Sequence, residues 1–184
     1  MENKYTLKYN TQPMKIKFLI LTIFLLSTTM LYAQGKKVLF IMSAAKELPL
    51  KNGKTYNNTG VFLNEFYLAY REIAKLGYDI DFATPNGITS SIDKESFKLK
   101  YWKGREDMLQ EAREFVCTNQ KFNSPMTLEN IIGNTSVYSG MVVPGGQGLM
   151  VDLIHNCQMA EIIKLFSSEQ KAIGLICNAQ ALLI

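Results

Sequence analysis

Four short apolar runs, each followed by a turn or a helix-forming stretch, constrain the fold of this chain more than any other feature. Lys37 to Ser43 is a run bounded by polar residues, the pattern of a strand buried on both faces of a parallel sheet. A polar loop, Lys46 to Asn58, leads to Thr59-Gly60. There a segment opens with Phe62, Phe66, Ala69, Tyr70, Ile73 and Leu76 at helical spacing, and Gly77 ends it. Tyr78 to Thr84 alternates and stops at Pro85-Asn86-Gly87, which reads as a second strand and a turn. Gly140 to Val143 and Lys171 to Ile176 are two further strands, separated by a helix with Met159, Ile162, Ile163 and Phe166 on one face. Strands alternating with helices predict an α/β fold, a doubly wound parallel sheet whose sites lie at the carboxyl ends of the strands. The polar stretch Asp93 to Thr135 reads as an insertion on the sheet rim. It holds one helix near Arg105 to Val116 and a short one capped by Ser124 with Pro125 at its first position.

The N-terminus carries a different pattern. Lys15 and Lys17 precede the apolar run Phe18 to Leu26, a Ser/Thr stretch and Leu31-Tyr32-Ala33. That order matches a signal peptide cut after Ala33, with Met14 as an alternative start. The run is short and hydroxyl-rich for a span needing ~20 apolar residues, so cleavage is expected over retention as an anchor. The expected organisation is an extension and signal peptide over 1–33 and one domain over 36–184, exported and free of the membrane after cleavage. Without Lys4, Lys8, Lys15, Lys17 and Glu2, the formal charge of +4 falls close to neutral. The remaining lysines form no basic stripe interleaved with aromatics, so no nucleic-acid partner is expected. Three cysteines and a single histidine, His155, form neither a disulfide scaffold nor a zinc pattern. His155 reads as a surface or packing residue, and no metal is expected.

Cys177 follows directly on the fourth strand, and Asn178 to Leu183 is a good helix start. A helix N-terminus beneath the sulfur would favour the thiolate, the reactive form. A small apolar cysteine at a strand end fits the same position, and spacing alone leaves both readings open. Pro144-Gly145-Gly146-Gln147-Gly148 also follows a strand and could present backbone N–H groups to an oxyanion. Such turns equally serve phosphates or tight packing. Glu65, taken alone, is a glutamate on an amphipathic helix.

In combination these segments resemble a known family. Thr59-Gly60-Val61-Phe62-Leu63-Asn64-Glu65, Gly77-Tyr78 running into Phe82 to Gly87, Val143 to Gly148 with Asp152, and Ile176-Cys177-Asn178-Ala179 stand in the order of the ThiJ/PfpI family. The branch that includes glutathione-independent glyoxalase III is the most similar, over about Lys37 to Ile184. The resemblance implies a flavodoxin-like fold of the class I glutamine amidotransferase type. It also implies Cys177 as nucleophile, Glu65 as its carboxyl partner, and Gly146, Gln147 and Asn178 around the oxyanion and substrate. The implied activity is that of a cysteine-dependent hydrolase or lyase, glyoxalase- or deglycase-like, acting on small reactive carbonyls or their adducts without metal or organic cofactor. A homodimer is compatible with it.

Two departures set the alternatives. Where the family has histidine after the cysteine, this chain has Asn178, with Ala179 in place of the usual glycine; asparagine cannot exchange a proton near neutral pH. Only seven residues follow Cys177. The fold is therefore expected to be incomplete at the C-terminus, with an unpaired strand edge and an uncovered sheet face. The competing readings are a non-catalytic or redox-sensing domain, and an inactive fragment.

Overall fold

The computed structural model of the protein describes residues 37–184, and the expected signal peptide lies outside the described residues. Five parallel strands form the central sheet: β1 (Lys37–Ile41), β4 (Asp79–Thr84), β5 (Met126–Thr127), β6 (Gly140–Val143) and β7 (Ala172–Leu175), in the order β5-β4-β1-β6-β7. β1 is central. Val38 pairs with Ile80 on one side and with Gly140 on the other.

Alternate residues of β1 point into two separate cores, because side chains on a strand alternate between its faces. Val38, Phe40 and Met42 join Ile80 and Phe82 under helices α1 (Leu63–Lys75) and α2 (Glu106–Thr118). Leu39 and Ile41 join Met141 and Val143 against α4 (Leu128–Ile132) and α6 (Cys157–Ser168). Helices on both faces make this a doubly wound, flavodoxin-like sheet. The α1 side is aromatic, with Phe40, Phe66, Phe82 and Phe122 packed edge-to-face or tilted at centroid separations between 5.3 and 6.0 Å.

Asp81 enters that sheet as a charge and is compensated. Burial raises its carboxyl, yet Lys37 Nζ at 2.6 Å and Lys121 Nζ at 2.9 Å hold it below the ordinary carboxylate range. The Tyr138 hydroxyl donates a third contact at 3.2 Å.

The stretch from Asp93 to Thr135 is more than a rim insertion. Trp102, Met108, Leu109, Ala112 and Phe122 are buried in the α1-side core, and Met126–Thr127 adds the edge strand β5 beside Ala83 and Thr84. The expected helix with Pro125 at its first position is also displaced. Asn119 caps a short helix α3 (Gln120–Asn123), with its side chain accepting from the Phe122 amide at 2.9 Å. Thr127 caps α4 through a capping box with Asn130. Pro125, with no N–H to give, stands just ahead of the edge strand, where none is needed.

The loop Lys46 to Asn58 contains a small antiparallel hairpin, β2 (Leu48–Pro49) and β3 (Thr55–Tyr56). It closes through Asn52-Gly53, with Gly53 at φ +75°. At the opposite edge, β7 pairs with β6 alone among the described residues, and Ile173 and Leu175 are partly exposed. A groove of about 350 Å³ there is lined by Tyr78, Met141, Val142 and Ile173. His155 is exposed, and α5 (Leu149–Asp152) leads from the glycine turn towards α6.

Candidate active site

Three carboxyl strand ends converge on the site, as the topology of a parallel sheet requires. β1 delivers Ser43, β6 delivers the glycine turn 144–148, and β7 delivers Cys177. The Ile176 amide still bonds the Val143 carbonyl at 3.0 Å, so pairing of β6 with β7 continues to the residue before the cysteine. Cys177 then turns sharply, at φ +54°. A left-handed conformation in a residue with a side chain costs about 1–3 kcal/mol and persists only where its surroundings hold it. That strained turn projects the thiol out of the sheet edge as an exposed group.

Glu65 reaches towards the thiol from the first turn of α1, and its Oε2 faces the glycine turn at Gly145 beside Cys177. α1 is itself tied to the glycine turn by the Phe62 amide donating to the Gly145 carbonyl at 3.1 Å. The space between these groups admits no side chain. A Cβ on Gly145 would be driven into Glu65 Oε2 and stand 2.8 Å from Cys177 Cβ. Gly146, at φ +119°, would place a Cβ against the Gly60 carbonyl.

Burial raises the Glu65 carboxyl above the ordinary carboxylate range, against the contacts from Cys177 and Gly145, and its buried Oε2 has no hydrogen-bond partner among the described residues. Burial also raises the Cys177 thiol, and the Glu65 charge raises it further; only the Asn178 amide lowers it. The expectation that a helix dipole would depress this thiol is therefore corrected. The segment after the turn is a 3₁₀ helix, Cys177–Leu183, beginning at the cysteine itself, and the adjoining carboxyl outweighs its first amide. Deprotonating both groups would set two anions side by side, so ionisation of either opposes that of the other. The Cys177 Sγ also lies 3.7 Å from Asn178 Oδ1, a weak thiol contact.

Gly146, Gln147 and Asn178 line one cavity of about 620 Å³ together with Cys177 and Glu65. All five residues singled out in the sequence thus meet in one place. The rest of the lining was not anticipated: Leu48, Leu50 and Tyr56 from the hairpin region, Phe62 and Asn64 at the start of α1, and Asp93, Glu95 and Tyr101. Asn52-Gly53 is a hairpin signal within a stretch read as a polar loop, and it points to the first three. Asp152 is a supporting residue. Burial pushes its carboxyl up, and Oδ2 accepts from the Ala44 amide at 2.8 Å, which ties the end of β1 to α5 behind the glycine turn.

A family model described as "ThiJ/PfpI family-like" matches residues 56–184. The chain belongs to the ThiJ/PfpI family. Among curated proteins it is 25% identical over 159 residues to the protein/nucleic acid deglycase HchA of Pseudomonas aeruginosa, covering 83% of this chain and 51% of that one. It therefore spans about half the length of the curated relatives it matches. Among solved structures it is similar to glyoxalase III from Candida albicans, with a TM-score of 0.64 and 20% identity over 79% of this chain and 58% of that one. A Francisella tularensis rapid encystment protein gives a TM-score of 0.63 at 21% identity, over 80% of this chain and 60% of that one. These structural likenesses bear on the fold.

Proposed function

We propose that this ThiJ/PfpI chain is an exported, cysteine-dependent enzyme of the glyoxalase III or deglycase type, acting on small reactive carbonyls or on the adducts they form. The observation that carries the reading is the placement of Cys177 and the Glu65 carboxyl side by side across Gly145, on the floor of an open cavity. The names of the deglycase and glyoxalase III relatives support the same chemistry.

In this reading the Cys177 sulfur attacks the carbonyl carbon, and the carbonyl π pair moves to oxygen. The Gly146 and Asn178 amides stabilise the developing oxyanion, and the proton leaving sulfur passes to oxygen by way of Glu65, giving a hemithioacetal. For a dicarbonyl, Glu65 then takes the proton from the sulfur-bearing carbon and returns it to the neighbouring carbon, leaving a thioester that water cleaves to a 2-hydroxy acid. For a carbinolamine adduct, Glu65 gives a proton to the nitrogen as the C–N bond breaks and recovers one from the carbinol O–H, which releases the amine and the aldehyde that Cys177 then attacks. The relatives' name covers nucleic acid as well as protein, so the near-neutral charge of the domain does not exclude nucleic-acid adducts as substrates.

Incubation with methylglyoxal and quantitation of the 2-hydroxy acid tests the reading. Turnover that disappears in Cys177→Ala and in Glu65→Gln supports it; absence of turnover with methylglyoxal and with larger glyoxals overturns it. Export is tested separately: expressed in a Gram-negative host, the protein is expected outside the cytoplasm with Gln34 as its first residue.

A further inference from the structure

We infer that the cavity over Cys177 selects carbonyl compounds carrying an aromatic or branched apolar substituent, and that the hairpin β2–β3 forms the wall receiving it. The inference rests on the reading of Cys177 as nucleophile and adds the substrate class. A three-carbon dicarbonyl would occupy a small corner of about 620 Å³, a volume in the range of pockets that bury much larger ligands.

The chemistry of the walls is apolar away from the floor. Leu50, 42% exposed, is a large aliphatic side chain facing solvent within the cavity lining. Leu48 and Tyr56 stand with it on the hairpin side. Phe62 and Tyr101 also line the cavity and form an edge-to-face pair at 4.9 Å, a rigid aromatic surface against which a ring can pack. Asn64 holds that surface in place, its Nδ2 donating to the Tyr101 carbonyl at 3.1 Å.

The two rim carboxylates do not favour a cationic substituent. Glu95 is engaged by Lys98 at 2.5 Å, Lys100 at 3.0 Å and the Tyr101 hydroxyl at 3.2 Å. Asp93 accepts from the Glu95 amide at 2.9 Å and is almost wholly buried. A cation entering the cavity would have to displace those lysines, whereas an apolar group only covers surface that is already exposed.

Alkylation of Cys177 reads the pocket independently of turnover. Iodoacetamide, N-benzyl iodoacetamide and a trimethylammonium-bearing iodoacetamide are compared at pH 9 by peptide mapping, each rate normalised to that with free N-acetylcysteine. The benzyl reagent is expected to exceed iodoacetamide at Cys177 by at least about tenfold, the scale of burying one aromatic group, and to show no such preference at Cys117 or Cys157. Leu50→Ala, at an exposed position that leaves the core untouched, is expected to cut the ratio several-fold, and Tyr56→Ala to do the same. No benzyl preference, a preference unaffected by both substitutions, faster reaction of the cationic reagent, or no labelling of Cys177 would each overturn the inference. A selective chain without turnover would instead count against the proposed function alone, and an active chain without selectivity against the pocket alone.

Discussion

Glu65 and Cys177 meet across the glycine turn at Gly145, and burial raises the proton affinity of both. Neither can be treated as an isolated titrating group. A charged carboxylate beside the sulfur opposes a thiolate, while a neutral carboxyl can donate a hydrogen bond to it. The charge state of one therefore bears on the proton affinity of the other.

Thiol titration should expose this coupling. The Cys177 alkylation rate, followed against pH with peptide mapping, is expected to rise at a higher pH than is usual for a cysteine. Glu65→Gln is expected to shift that rise to lower pH, because it removes the charge and the contact that raise the thiol. An unshifted profile in the variant would show that the two groups do not titrate together.

The same substitution should stabilise the fold. A carboxyl raised in the folded state binds its proton more tightly there than in the unfolded chain, so stability falls as pH rises from about 4.3, the ordinary glutamate value, to the raised folded value. Above that window the cost is constant. Glu65→Gln is therefore expected to raise Tm at pH 7, where the parent bears the cost of a charged carboxylate. At pH 3 the gain should vanish. Equal gains at both pH values, measured by thermal unfolding, would exclude proton linkage as the cause.

Gly145→Ala probes the geometry between the two groups. The added methyl would collide with Glu65 Oε2 and crowd Cys177 Cβ, so either the carboxyl or the turn must move. Turnover is expected to fall ~10²-fold or more, since misplacement by about 1 Å costs that much. Far-ultraviolet circular dichroism should remain near that of the parent. A variant retaining full activity would mean that the Glu65 contact is dispensable.

Particular residues show why some of this was legible in the sequence and some was not. β1 could be read because both its faces are buried, which gives an unbroken apolar run from Val38 to Met42. α1 could be read because Phe66, Tyr70 and Ile73 repeat at helical spacing and Gly77, at φ +81°, ends the pattern. β5 could not, since two residues have no periodicity, and their place is decided by pairing with Ala83 and Thr84. Trp102 and Phe122 looked like parts of a polar rim because their neighbours are charged; only tertiary packing brings them under α1 and α2. That Glu65, Gly146, Gln147, Cys177 and Asn178 belong together was legible through the family motifs, and they line one cavity. The hairpin wall and Tyr101 were not, because long-range contacts place them beside the cysteine. The direction of the Cys177 shift was misjudged for a similar reason, since local sequence shows the helix start and not the carboxyl packed against it.

Asn178→His tests whether the site lacks a proton carrier. Asn178 lines the cavity next to Cys177, and its amide lowers the thiol, but its side chain offers no group that titrates near neutral pH. Glu65 is then the carboxyl beside the sulfur at the cavity floor, its proton affinity raised by burial. A histidine at 178 would add a second group able to move a proton between carbon and oxygen while the first stays with the sulfur. Positioned acid–base help of this kind is worth ~10²–10⁴-fold in rate. Turnover of a dicarbonyl is therefore expected to rise by at least about tenfold in Asn178→His, with a new inflection between pH 6 and 7 in the profile of kcat/KM, the ordinary range of an imidazole. Adding Cys177→Ala should abolish the gain. An unchanged rate with no new inflection would mean that Glu65 carries the proton traffic alone and that asparagine serves the site as it stands.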